Sequence, residues 1–283
     1  MKLNLYKNKQ TIWFANRREL FIFTIYNREE INMLSKNKIK LIQSLDRKKN
    51  RDSSGLFLVE GTKMVEEALD SGLQIDSLIC TTEFLDQHPF AEQRSDEIIE
   101  TDSESIRKAS LQQNPQNALA IVRKPNQNEI TPNYSDLIIA LDFIQDPGNL
   151  GTILRIADWF GIAHVVCSSN TVDVFNPKVV QASMGAIFRI KTIYTDLEKF
   201  LDKATESDIP VYGTFLEGKN IYAETLTKNG ILIMGNEGNG ISESTARFVS
   251  RKLFIPSFSS GKGSESLNVA IATAICCSEF KRR

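Results

Sequence analysis

Histidine and cysteine are scarce in this chain of 283 residues. The two histidines, His88 and His164, stand far from the four cysteines, Cys80, Cys167, Cys276 and Cys277, and no two cysteines have CxxC spacing. That pattern predicts no metal site and no disulfide framework, and it favours a reduced, cytoplasmic location. Long apolar runs are missing as well, so no segment is expected to cross or anchor in a membrane. The stretch LFIFTIY, 20–26, is flanked by NRRE and NREE and is too short for the apolar centre of a signal peptide. Charge of one sign is also lacking: 34 Lys and Arg meet 35 Asp and Glu, a formal net charge of −1. Attraction to a polyanion would have to come from a local patch. Finally, no GxGxxG follows a first strand, which removes the main support for a dinucleotide-binding or Rossmann methyltransferase reading.

The chain is long enough for two modest domains. Residues 1–32 carry no helical period and no strand–turn order connecting them to the segment beyond. Met33 then opens MLSKNKIKLIQSL, a polar lead before apolar residues at helical spacing. The expectation is that 1–32 is an extension, not native to the protein, and that translation starts at Met33. From 33 to 124, helices (KIKLIQSLDRKK, TKMVEEALDSG, SESIRKASL) mix with strands (GLFLVEG, QIDSLICTT, ALAIVRK), which predicts a small α/β sandwich. Residues 125–136, rich in Pro and Asn, read as a linker. In 137–283 the alternation is clearer. Strands at LIIALDFI, AHVVCSS, FRIKTIY, IPVYGTFL, GILIMG and RKLFIP alternate with helices near 149–160, 177–187, 197–207, 244–250 and 267–281. Near-continuous apolar strands of this kind predict a mostly parallel sheet covered on both faces.

Three loops at strand ends invite a chemical reading. In DPGNLGTILR, 146–155, a strand leads into Pro, Gly and Asn and then a helix bearing Arg155. Arg155 also has the bland reading of a surface pair with Asp158 on the same helix. In MGNEGNGIS, 234–242, the glycines suit either a close backbone approach to a ligand or a tight turn, and Glu237 stands beside Asn236. In IPSFSSGKGSESLNVAIATA, a Ser/Gly loop precedes a helix that Ser266 is placed to cap. A fourth stretch, GTFLEGKN, 213–220, falls short of a phosphate-binding P-loop because Asn220 stands where a magnesium-binding Ser or Thr is required.

The runs DFIQDPGNLGTILRIADWFGI, MGNEGNGIS and IPSFSSGKGSESLNVA, in that order, resemble the three signature motifs of the SpoU (TrmH) family of the SPOUT superfamily. NPKVVQASMGAIFRI, 176–190, is similar to the family's segment between the first two motifs. Residues 36–124 resemble its substrate-binding domain. The resemblance implies a SPOUT-type knotted α/β domain behind the small α/β sandwich, a homodimer formed through the C-terminal domain, and S-adenosylmethionine as cofactor. It implies transfer of a methyl group to a ribose 2′-hydroxyl of RNA, ribosomal RNA in preference to tRNA. A non-catalytic RNA-binding relative is the other reading.

Aligned with the family's active site are Asn149, Arg155, Glu237, Ser266 and Asn268. Thr214, Gly235, Ile255 and Leu267 align with its cofactor pocket. Arg155 is the implied group at the 2′-oxygen. A guanidinium stays protonated in proteins, so its physically sounder role is to hold phosphate and stabilise alkoxide charge. Asn149 is placed to cap its helix and orient Arg155, and Glu237 to fix the Arg155 fork. For RNA contact, residues 36–63 carry eight Lys or Arg against three acids, with Arg47, Lys48, Lys49 and Arg51 clustered. Charge alone favours the plainer reading of a solvated helix end.

Overall fold

A computed structural model describes residues 9–16, 19–26, 34–125, 132–259 and 266–282. Strands β1 (Lys9–Asn16) and β2 (Glu19–Tyr26) form an antiparallel pair in register from Lys9↔Tyr26 to Asn16↔Glu19. The sequence reading assigned no strand here. Its β-branched and aromatic residues favour extended pairing. Among the described residues the two strands pair only with each other.

The first domain runs α1 (Lys36–Ser44), α2 (Lys48–Ser54), β3 (Leu56–Glu60), α3 (Thr62–Asp70), β4 (Ile75–Cys80), α4 (Thr82–Gln87), α5 (Ala91–Arg94), β5 (Ser95–Glu100), α6 (Ser103–Ala109) and β6 (Ala118–Arg123). Its sheet has the order β3-β6-β4-β5. Strand period places alternate residues on opposite faces. Phe57, Val59, Ala118 and Ala120 join one apolar cluster, while Leu56, Leu58, Leu119 and Ile121 pack with Ile42, Leu45 and Ile106 in another. Strand β5, SDEIIE, went unread in the sequence. It is an acidic edge strand with little burial, so it lacks the apolar alternation that marks a strand.

The linker expected at 125–136 lies mostly outside the described residues. Beyond it come β7 (Leu137–Leu141), α7 (Pro147–Trp159), β8 (His164–Ser168), α8 (Pro177–Ser183), β9 (Lys191–Thr195), α9 (Leu197–Glu206), β10 (Val211–Asn220), β11 (Gly230–Met234), α10 (Glu243–Ala246), β12 (Arg251–Phe254) and α11 (Val269–Arg282). The sheet order is β12-β10-β11-β7-β8-β9, and every pairing is parallel. Both faces are covered, as the apolar strands predict. Leu137, Ile139 and Leu141 of β7 face the α7 and α8 side, and Ile138 and Ala140 face Leu197, Phe200 and Leu201 of α9. Several boundaries differ from the sequence reading: KIKLIQSLDRKK divides between α1 and α2, and the helices expected at 177–187 and 244–250 are the shorter α8 and α10. FRIKTIY begins with a 3-10 turn, Ala186–Phe188, ahead of β9. GTFLEGKN is a continuation of β10 alongside β12, so it forms no phosphate loop.

Helix α8 ties the domains together. It packs on β3 of the first domain and on α7 of the second. Phe57 of β3 meets Phe175, just ahead of α8, with ring centroids 4.7 Å apart. Arg51 donates through Nε and Nη2 to Asp173 Oδ2 at 3.0 and 2.7 Å, and through Nη1 to the carbonyls of Leu45 and Asp46. Its side chain is only 1% exposed. Arg51, expected on an RNA-facing basic surface, is therefore an interdomain tie, because Asp173 and two carbonyls satisfy its fork away from solvent. Removing one member of a buried ion pair strands the other. We expect Arg51→Met to lower unfolding free energy by about 3–5 kcal/mol in urea titrations, and Arg47→Met, on the exposed side of the same segment, to change it by less than about 0.5 kcal/mol.

Candidate functional site

The loops after β7, β11 and β12 leave the carboxyl ends of parallel strands, where open α/β sheets hold ligands. The first two are laced together. Asp142 N–H donates to the Met234 carbonyl at 2.9 Å, extending the β7–β11 ladder by one bond. Asp142 Oδ2 accepts from the N–H and the hydroxyl of Ser242, both at 2.8 Å. Asn236 Nδ2 donates to the Phe143 carbonyl at 2.9 Å, and Phe143 takes a left-handed φ of 64°. Asn236 also closes its own loop, its backbone exchanging two hydrogen bonds with Gly240. A Cβ on Gly235 would lie 2.3 Å from backbone atoms of Gly240 and Ile241. The glycine there is a steric requirement of the loop.

Helix α7 buries Leu150, Ile153, Leu154 and Ala157, an i, i+3, i+4, i+7 stripe that turns Arg155 out to solvent. Its N-cap is Asp146, whose carboxylate accepts the Asn149 N–H at 2.8 Å, with Pro147 in the first turn. Asn149 thus does not cap the helix, and its side chain reaches across the site. Nδ2 donates to Glu237 Oε1 at 2.5 Å, and Oδ1 accepts from Asn268 Nδ2 at 2.9 Å. Gly151 lets α7 lie close on α8: a Cβ there would fall 2.5 Å from that of Ala182. Asn268, rather than Ser266, caps α11, its Oδ1 accepting from Ala270 N–H at 2.9 Å and Ile271 N–H at 3.2 Å. Ser266 is exposed two residues ahead of that cap.

Three residues from three loops therefore form one chain, Glu237–Asn149–Asn268. Glu237 meets Asn149, so the expected Glu237–Arg155 fork is absent. The bland Arg155–Asp158 pair is absent too, because Asp158 is held by Arg189, at 3.1 and 3.0 Å from Nε and 2.9 Å from Nη2. Among the described residues, Arg155 makes no ion pair. Thr214, Gly235 and Ile255 lie on β10 and just beyond β11 and β12, three neighbouring strands. Thr214 Oγ1 is 3.9 Å from the Met234 sulfur. Ile255 packs on the core edge, whereas Leu267 is 49% exposed. Arg47, Lys48 and Lys49 are exposed at the start of α2. Sequence reasoning missed Asp142, Asp146, Asn236 and Ser242. A carboxylate closing the apolar run LIIALD and the Asp-Pro helix start were the available signals.

A parallel sheet with three laced strand-end loops, joined to a second domain bearing exposed cations, defines an α/β enzyme domain with an appended substrate module. The SpoU rRNA Methylase family model matches residues 136–278, and the MRM3-like substrate binding domain model matches residues 36–120. The chain belongs to the SpoU rRNA methylase family. The 23S rRNA (guanosine(2553)-2'-O)-methyltransferase RlmP of Bacillus subtilis (strain 168) is 30% identical over 248 residues, covering 87% of this chain and 97% of its own. A TrmH-family chain from Porphyromonas gingivalis is 41% identical with a TM-score of 0.78, covering 89% of this chain and 99% of its own. An AdoMet-bound rRNA methyltransferase from Sinorhizobium meliloti is 32% identical with a TM-score of 0.76, covering 88% and 95%.

The two duties of Asn268 separate by substitution. Asn268→Ala loses the cap and should cost about 1 kcal/mol of unfolding free energy. Asn268→Asp keeps an acceptor for the α11 amides but cannot donate to Asn149. In the same denaturant titration it should remain within about 0.5 kcal/mol of the parent.

Proposed function

We propose that this chain transfers a methyl group from S-adenosylmethionine to a ribose 2′-hydroxyl of ribosomal RNA. The observation that carries the reading is the Glu237–Asn149–Asn268 chain, which gathers the three loops at the start of the helix that bears Arg155, exposed and without an ion pair among the described residues. Support for ribosomal RNA over tRNA comes from the names of the matched family and of the relatives that align over both domains. A non-catalytic relative would have no need to retain that chain.

The residues present fit the cofactor. Adenosine calls for backbone donors between aliphatic walls. Gly235 supplies backbone without a side chain, and Ile255 and the half-exposed Leu267 supply the walls. Thr214 stands at the neighbouring strand. When bound, S-adenosylmethionine supplies an electrophilic sulfonium methyl. The protein's own contribution is positioning and charge. Arg155, protonated throughout, holds an RNA phosphate and stabilises negative charge as the 2′-hydroxyl gives up its proton. Asn149, fixed at both ends of its amide, sets the wall facing the ribose, while Ser266 and Asn268 offer a hydroxyl and an amide to the substrate. The 2′-hydroxyl itself selects RNA over DNA. Arg47, Lys48 and Lys49 add salt-sensitive phosphate attraction from the first domain.

The active form is a homodimer through the C-terminal domain, working in the cytoplasm. Trp159 of α7 is 85% exposed and Ile271 of α11 is 52% exposed, on two helices packed against each other. Apolar side chains so placed suit burial by a second copy. The cytoplasmic assignment rests on four buried, free cysteines, which suit a reducing compartment.

Nucleoside mass analysis of ribosomal RNA from cells with and without the gene should show one 2′-O-methylated nucleotide lost, and unchanged RNA would refute the reading. Arg155→Ala should reduce methyl transfer on the order of 10²–10³-fold, with cofactor affinity by calorimetry within about twofold, a shift of under ~0.5 kcal/mol. In sedimentation velocity, Trp159→Glu should turn a dimer into a monomer.

A further inference from the structure

The segment between the first two motifs carries Arg189 next to its end, and nothing in the proposed chemistry uses this residue. Its guanidinium faces two domains at once. Nε and Nη2 fork onto Asp158 of α7, and Nη1 donates to Glu67 of α3 in the first domain. Gly185 makes room for this: with φ at 89°, it presents no side chain where a Cβ would lie 2.9 Å from Glu67 Cδ. Asp158 stands three residues after Arg155 on the same helix, the spacing at which opposite charges pair across a helix surface. The side chain of Asp158 is 31% exposed, within reach of solvent and of any free cation beside it. Left alone, that carboxylate has one obvious partner, Arg155.

We propose that Arg189 is a positioning residue that occupies Asp158 and so keeps the Arg155 guanidinium free for RNA. Arg189 touches neither cofactor nor substrate and acts only through Asp158. This inference rests on the role given to Arg155 above.

The competing-partner logic makes a prediction that a merely structural ion pair does not. Arg189→Ala should slow methyl transfer roughly two- to fivefold, the strength of a partly exposed ion pair, with S-adenosylmethionine affinity unchanged. Asp158→Asn alone should leave the rate unchanged, since nothing then competes for Arg155. The double variant Arg189→Ala/Asp158→Asn should recover the parental rate. If Arg189→Ala folds poorly, Arg189→Gln serves in its place, keeping the bulk but not the charge, with the same rescue by Asp158→Asn. A double variant as slow as the Arg189 single variant, in a protein that Arg155→Ala inactivates, would overturn the competition mechanism alone. Full activity in Arg155→Ala would instead overturn the role of Arg155 and this inference with it.

Discussion

An amide side chain has a donor end and an acceptor end, and in Asn149 each end is claimed by a residue from a different loop. Glu237, as a carboxylate, can only accept, so it fixes Nδ2 toward itself and leaves Oδ1 to face the other way. Asn268 has already committed its own Oδ1 to the first amides of α11, which leaves only its Nδ2 to offer Asn149. The carboxylate at one end and the cap of α11 at the other thereby impose the same direction on the chain of amides.

That chain works only because the backbone brings its members within reach. The lacing of Asp142 to Ser242 and of Asn236 to the Phe143 carbonyl does so, and all of it sits at the carboxyl ends of adjacent strands β7 and β11. Asp142 is 6% exposed, and a carboxylate so placed is tolerable because an N–H and a hydroxyl meet it. The left-handed φ of Phe143 belongs to the same arrangement: it turns one carbonyl toward Asn236 while its own N–H reaches Ser168 at 2.9 Å. Polar satisfaction at the strand ends thus ties the loops after β7 and β11 to each other.

Much of this was legible from periodicity. Apolar runs such as LIIAL and GILIM read as buried parallel strands because burial on both faces leaves no polar alternation, and the stripe Leu150, Ile153, Leu154, Ala157 forecasts that Arg155 points outward. The convergence of three loops was legible through family resemblance. What the residues did not disclose were partners chosen by tertiary structure. RKKNR gives no hint that Arg51 alone turns inward, because the carboxylate that draws it in is Asp173, 122 positions along the chain. The cap assignments failed for a related reason. Asn149 and Ser266 are both good cap residues, but Asp146 and Asn268 hold the positions from which a side chain reaches the first free amides. The acidic edge strand β5 escaped because its sequence serves to discourage pairing.

The arginines of this chain show how environment, and not residue type, assigns a role. Arg51 is buried and fully paired, which makes it a tie between domains. Arg189 is 44% exposed and still committed on both sides, to Asp158 and Glu67. Arg155 is exposed and makes no ion pair among the described residues, and its neighbour in helical spacing is the very carboxylate that Arg189 holds. Spacing on one helix cannot show whether a nearby acid is available, since the acid's allegiance is settled by a residue 31 positions further on. Which charges on α7 are left over is thus decided by tertiary structure, and the order of residues along the helix cannot show it.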